Sequence, residues 1–189
     1  YYYHVQRCAA VDTSRVRPRA YFQPRYGDFC ENALSVEATT LGTFELDMPI
    51  VCHTIGTDFG EDGSNMACLL GPDGYKSSWF KFTYAGTDLV DILFQLDLLS
   101  LSGFGSSSNV RYRLYYGSDC NTMVVGSECA TDANINNSIA CVSSSDGTFY
   151  VQVTYPEETS GELGFNFTVS ENTNPDCNPF NPSNLLSQF

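Results

Sequence analysis

A chain of 189 residues and 20.9 kDa can bury one sizeable core and has too little length for a comfortable pair. With 42% hydrophobic and 14% aromatic residues it is not a disordered polymer. A net charge of −13 excludes a general nucleic-acid binder, because phosphate is repelled by any such surface that lacks a segregated basic patch.

The chain's basic charge is segregated at its start. Residues 1–27 carry Arg7, Arg15, Arg17, Arg19 and Arg25 against Asp12 alone, a formal +4, whereas residues 28–189 carry four basic and 21 acidic side chains, a formal −17. Tyr1, Tyr2, Tyr3, Tyr21, Phe22 and Tyr26 interleave with these arginines, and Pro18 and Pro24 favour extended backbone before them. Residues 1–27 are therefore expected to form an extended basic, aromatic arm. The opening at Tyr1, without a methionine or an apolar leader, reads as a mature secreted form or an excised piece.

A body over residues 28–171 follows, and its apolar residues recur with period two, the signature of half-buried strands. Phe44, Leu46 and Met48 alternate with Thr43, Glu45 and Asp47. Phe80, Phe82 and Tyr84 alternate with Lys81 and Thr83, and Val90, Ile92, Phe94, Leu96 and Leu98 form the longest row, opposite Asp91, Gln95 and Asp97. Further rows are Val110, Tyr112 and Leu114 against Arg111 and Arg113; Phe149, Val151, Val153 and Tyr155 against Tyr150, Gln152 and Thr154; and Leu163, Phe165, Phe167 and Val169 against Asn166 and Thr168. Turn signals at 71–74, 103–109 and 143–147 separate them. The expected fold is all-β, a jelly-roll-like antiparallel β-sandwich. Residues 172–189, rich in Asn and Pro before Leu185, Leu186 and Phe189, read as a second extended arm. No apolar stretch approaches the roughly 18 residues of a membrane span.

Cys8, Cys30, Cys52, Cys68, Cys120, Cys129, Cys141 and Cys177 form an even set without a C-x-x-C pair, which fits disulfides better than zinc and places the chain in a secreted or extracellular surface setting. Spacing favours Cys120 with Cys129 as a local pair and leaves the other connections open. The sequons at Asn136 and Asn166 agree with that compartment, and both asparagines are expected to be exposed and able to carry a glycan.

Four local sequences resemble the bacterial pre-peptidase C-terminal (PPC-like) domain family in the right order. Asp28-Phe29-Cys30-Glu31-Asn32-Ala33 resembles its opening motif, and Ser78-Trp79-Phe80-Lys81-Phe82 its Trp-aromatic-x-Phe strand. Leu114-Tyr115-Tyr116-Gly117-Ser118-Asp119-Cys120 is similar to its Tyr-x-Gly-x-Cys turn, and Gly147-Thr148-Phe149-Tyr150-Val151-Gln152-Val153 to its Gly-Thr-Tyr-Tyr strand. The resemblance covers residues 28–170 and implies a secreted jelly-roll-like sandwich without catalytic residues of its own. The long arms, with Cys52, Cys68 and Cys141, depart from that pattern and point away from a purely accessory role.

Catalytic chemistry has little to build on. His4 and His53 are the only histidines, one in the arm and one beside Cys52, and no G-x-S-x-G elbow occurs. Asp58, Glu61 and Asp62 concentrate oxygen ligands among glycines as a calcium site would, without EF-hand spacing; a solvated acidic turn is the plainer reading, and no other cofactor is expected.

The basic arm beside an acidic body carries the functional expectation. Arg7, Arg15, Arg17, Arg19, Tyr21, Phe22 and Arg25 have the composition that interfaces favour. Laid on a neighbouring copy, the arm would assemble the chain head to tail into an extracellular fibre or surface layer, without catalysis. The alternative is a monomeric module that binds glycan or matrix protein through exposed aromatics, with Tyr115, Tyr116 and Tyr150 as anchors.

Overall fold

The computed structural model describes residues 27, 30–50, 75–97, 101–103, 109–125, 136–145 and 148–174. Ten strands are present among them: β1 (Leu34–Ala38), β2 (Gly42–Pro49), β3 (Tyr75–Tyr84), β4 (Val90–Asp97), β5 (Leu101–Ser102), β6 (Arg111–Gly117), β7 (Val124–Val125), β8 (Asn136–Val142), β9 (Thr148–Pro156) and β10 (Ser160–Glu171), with a 3₁₀ turn at Cys30–Asn32. They form two sheets, ordered β1-β3-β9-β6-β7 and β2-β10-β4-β8, with β5 added to the start of β10. The fold is a jelly-roll-like β-sandwich, antiparallel except where β1 runs parallel to β3. Each predicted period-two row falls on a strand, except that Val110 precedes β6 and Leu98 lies outside the described residues.

Alternation places the apolar member of every pair between the sheets. Phe80, Phe82, Ile92, Phe94, Tyr112, Leu114, Phe149, Val151, Phe165 and Phe167 are fully buried there. Phe167 is stacked on Phe82 across the layer, with ring centroids 4.8 Å apart, and meets Phe94 edge-on at 5.4 Å. The longest strand, β10, is hydrogen-bonded to β2 on one side and β4 on the other, so its aromatics anchor the centre of the second sheet.

The central strand of the first sheet, β9, is buried on both faces, which alternation did not foretell. Every residue of β9 is buried, including Tyr150, Gln152 and Thr154, which the sequence assigned to a wet face. Part of the cover is a second apolar cluster, in which Cys30, Ala33, Cys120 and Met123 pack over Trp79, Tyr115 and Tyr150. A disulfide between Cys30 and Cys120, 90 positions apart in the chain, holds that cover in place. This corrects the local pairing of Cys120 with Cys129, since sequence proximity says nothing about which loops the sheet brings together. Cys141 is also disulfide-bonded, and among the described residues no cysteine is free.

Gly27 fixes the point where the chain joins this cover. Its N–H donates to the Asn32 carbonyl and its own carbonyl accepts from the Trp79 N–H, both at 2.7 Å. Its φ of 75° lies in the left-handed region, and a Cβ there would run into the Met48 sulfur, so only glycine fits.

Candidate functional site

The body's basic charge is confined to the first sheet, which also carries the exposed Glu37 of β1. The four basic residues of the body, Lys76, Lys81, Arg111 and Arg113, all lie on β3 and β6 of the first sheet. On the second sheet the positions that face away from the core include Glu45 and Asp47 of β2 and Glu162 of β10, all exposed, and the half-buried Asp91 of β4. That outer face carries no basic residue among its described positions.

β2 is the end strand of this acidic sheet. The Ile50 N–H donates to the Gly161 carbonyl at 3.2 Å. Antiparallel alternation then makes Met48, Leu46 and Phe44 the residues that bond β10. It turns the backbone groups of Thr43, Glu45 and Asp47 toward the open edge. At the other side of β10, the Asn172 N–H donates to the Leu89 carbonyl at 3.3 Å, which gives the even-numbered residues of β10 to β4 and agrees with this parity. Core-facing Phe44 and Leu46 stay partly exposed, as do Leu34 and Val36 of β1, the end strand of the first sheet. Among the described residues, this side of the sandwich is therefore an unpaired strand edge with an apolar seam behind it and carboxylates in front.

Two of the three aromatic anchors of the alternative reading, Tyr115 and Tyr150, are not on the surface. Tyr115 and Tyr150 are 1% and 3% exposed, contrary to expectation, because the disulfide-linked cover lies over them. Tyr115 donates its hydroxyl to Gln152 Oε1 at 2.9 Å, and its ring is 5.5 Å from Trp79. Lys81 Nζ stands 5.7 Å from the centre of the Tyr150 ring, a cation–π contact. Burial, then the charge of Asp119, raises the Tyr150 phenol above its ordinary pKa. Tyr116 is half-buried against Phe149. Trp79 Nε1 and Gln152 Nε2 are buried without a hydrogen-bond partner beneath the cover.

Asp119 organises the turn that carries Cys120. Its carboxylate accepts the N–H groups of Asn121 at 2.8 Å and Thr122 at 3.1 Å, and these bonds hold its pKa below the usual carboxylate value. A lowered folded-state pKa contributes stability that is present above the unfolded value, about 4, and is lost as pH falls through the folded value. Asp119→Asn is therefore expected to flatten the acid limb of a stability profile below about pH 4. A thermal-melt series against pH checks it.

The arm residues Arg7, Arg15, Arg17, Arg19, Tyr21, Phe22 and Arg25 lie outside the described residues, as do His4, His53, the calcium candidates Asp58, Glu61 and Asp62, and Cys8, Cys52, Cys68, Cys129 and Cys177. Among the described residues no cluster of three metal-ligating side chains occurs, and no helix is long and apolar enough to cross a membrane. The sequon asparagines share one cross-strand row: Asn166 of β10 and Asn136 of β8 are both in register with Gln95 of β4. Asn166 is half-buried in the middle of the sheet, less open than its place on the polar side of a strand suggested. The open β2 edge escaped the sequence reading, although charged Glu45 and Asp47 followed by Pro49 are the residues with which natural sheets end.

Solved structures similar to this chain include two whose likeness is low in sequence. One is the periplasmic inhibitor of g-type lysozyme from Aeromonas hydrophila, with a TM-score of 0.31 and 9% identity over 72% of this chain and 96% of that one. The other is the pre-peptidase C-terminal domain of a collagenase from Bacillus anthracis, with a TM-score of 0.28 and 13% identity over 72% of this chain and 94% of that one. The second belongs to the family that the four sequence motifs resemble. No protein-family model and no curated protein matches the sequence.

Proposed function

We propose that this protein is a secreted, non-enzymatic structural subunit that polymerises head to tail into an extracellular fibre or surface layer through its basic N-terminal arm. The observation that carries this reading is the charge division: five arginines in residues 1–27, and an acidic second sheet whose exposed Glu45 and Asp47 lie on an unpaired edge. An arm of one sign and a receiving surface of the other on the same chain make a heterologous contact, which repeats without limit unless rotation closes it into a ring. Disulfide bonding at Cys30, Cys120 and Cys141 supports an oxidising, extracellular location. The body and arm boundaries at residues 28 and 171 belong to the same reading, as do glycans at Asn136 and Asn166.

Removal of residues 1–26 tests it. The shortened chain keeps Gly27 and everything after it but loses Cys8, so a full-length Cys8→Ala chain is its control. The shortened chain is expected to stay monomeric in analytical ultracentrifugation where the full chain and that control sediment as large assemblies. Assembly by the full chain is expected to weaken between low salt and about 0.5 M salt, because exposed charge pairs are screened over about 10 Å or less at 0.1 M ionic strength and above. Equal sedimentation of the two forms would remove the arm from the mechanism.

A further inference from the structure

The open β2 edge has a specific complement in the chain's own sequence. Across Arg15-Val16-Arg17-Pro18-Arg19-Ala20, arginine alternates with a small or apolar residue, and Tyr21-Phe22 follow. We infer that residues 15–22 of one copy add as an antiparallel strand to the β2 edge of the next copy, which rests on the assembly reading above and names its docking site.

Three features of the edge fit this segment. First, residues that sit opposite each other in a ladder share a face. With Arg17 opposite Glu45, Arg15 falls opposite Asp47 and Arg19 opposite Thr43, so two guanidinium groups meet the two exposed carboxylates of β2. Second, the same register sets Val16 opposite Leu46 and Pro18 opposite Phe44, the two core-facing side chains of β2 that the sandwich leaves partly exposed. Tyr21 then comes opposite Leu41, which is 52% exposed. Third, Pro18 selects the strand direction. The β2 groups that point to the open edge belong to Thr43, Glu45 and Asp47, so in an antiparallel ladder their partners are Arg15, Arg17 and Arg19, and the missing N–H of Pro18 faces solvent. In a parallel ladder the residues between the arginines would have to bond, and Pro18 would cost a ladder hydrogen bond.

The test uses the full-length chain in three forms and reads the sedimenting fraction at low salt. Variant one carries Arg15→Glu, Arg17→Glu and Arg19→Glu; variant two carries Glu45→Arg and Asp47→Arg; variant three carries Glu45→Pro. Each alone is expected to raise the concentration needed for assembly by about tenfold or more, the two charge reversals through like-charge contact and the proline through the loss of an edge donor that β10 does not use. Mixed in equal amounts, variants one and two are expected to co-assemble, since each then supplies the arm that the other's edge accepts. Native-like thermal melts accompany every variant, and if Glu45→Pro melts early the exposed charge reversals decide alone. Rescue in the mixture supports docking between copies. A mixture that stays dispersed, or variants two and three that assemble like the parent, overturns this site while leaving an arm-driven polymer standing. A parent chain that never sediments overturns both.

Discussion

Replacing Cys30 and Cys120 together by alanine is expected to destabilise the protein by about 3 to 5 kcal/mol, the range for a disulfide that closes a long loop. The two cysteines are 90 positions apart, so the bond removes a large amount of freedom from the unfolded chain. Its native-state role adds to this, because the disulfide belongs to the cluster over Trp79, Tyr115 and Tyr150. For a domain of this size each kcal/mol moves the melting temperature by about 2 to 4 °C, so a fall of roughly 6 to 20 °C is expected. Trp79 is the only tryptophan and is fully buried in that cluster, so its fluorescence is expected to shift to the red in the variant before global unfolding. A variant that melts with the parent would show that the cover stands without its crosslink.

Phe167→Ala is expected to cost about 3 to 5 kcal/mol, as large-to-small changes of buried aromatics do. Phe167 has no exposed surface, and its ring contacts Phe82 of the first sheet as well as Phe94 and Phe165 of the second. Its backbone belongs to β10, in register with Phe44 and Phe94. The cavity would therefore open at the join of the two sheets, where neither can collapse onto it without breaking a ladder. Tyr116→Ala removes a half-buried ring at the rim of the same core and is expected to cost less than half as much. Urea titration of the two variants beside the parent measures both, and equal losses would contradict a core centred on β10.

Most of the sandwich was legible because period-two alternation is a local signal. The rows at Phe44 to Met48, Phe80 to Tyr84, Val90 to Leu96 and Leu163 to Val169 each became a strand with the expected inner face. β8 was hidden, since Asn136-Asn137-Ser138-Ile139-Ala140-Cys141-Val142 opens on three polar residues and its two core side chains, Ile139 and Val142, are three apart. A register shift opposite Val90 and Ile92, with Cys141 at a φ of 62°, explains why those two residues break period two. β1 alternates over five residues directly after the Asp28–Ala33 motif read as an entry into the domain, and its parallel pairing with β3 leaves no mark on either sequence.

The candidate site divides along the same line. The basic charge of residues 1–27 is read from counts alone, and residues 1–26 lie outside the described structure. The β2 edge was not legible, because which strand ends a sheet depends on contacts between residues far apart in the chain, such as β2 with β10. The burial of Tyr115 and Tyr150 was missed for a related reason: alternation says which side of a strand is polar, and the covering by Cys30 and Cys120 arises only once distant loops meet.

Negative-stain imaging of the full chain, disulfides intact and at low salt, asks whether it polymerises. Extended filaments or ordered layers are expected, dissolving when residues 1–26 are removed. A uniform population of 20.9 kDa monomers at high concentration would contradict self-assembly through the arm.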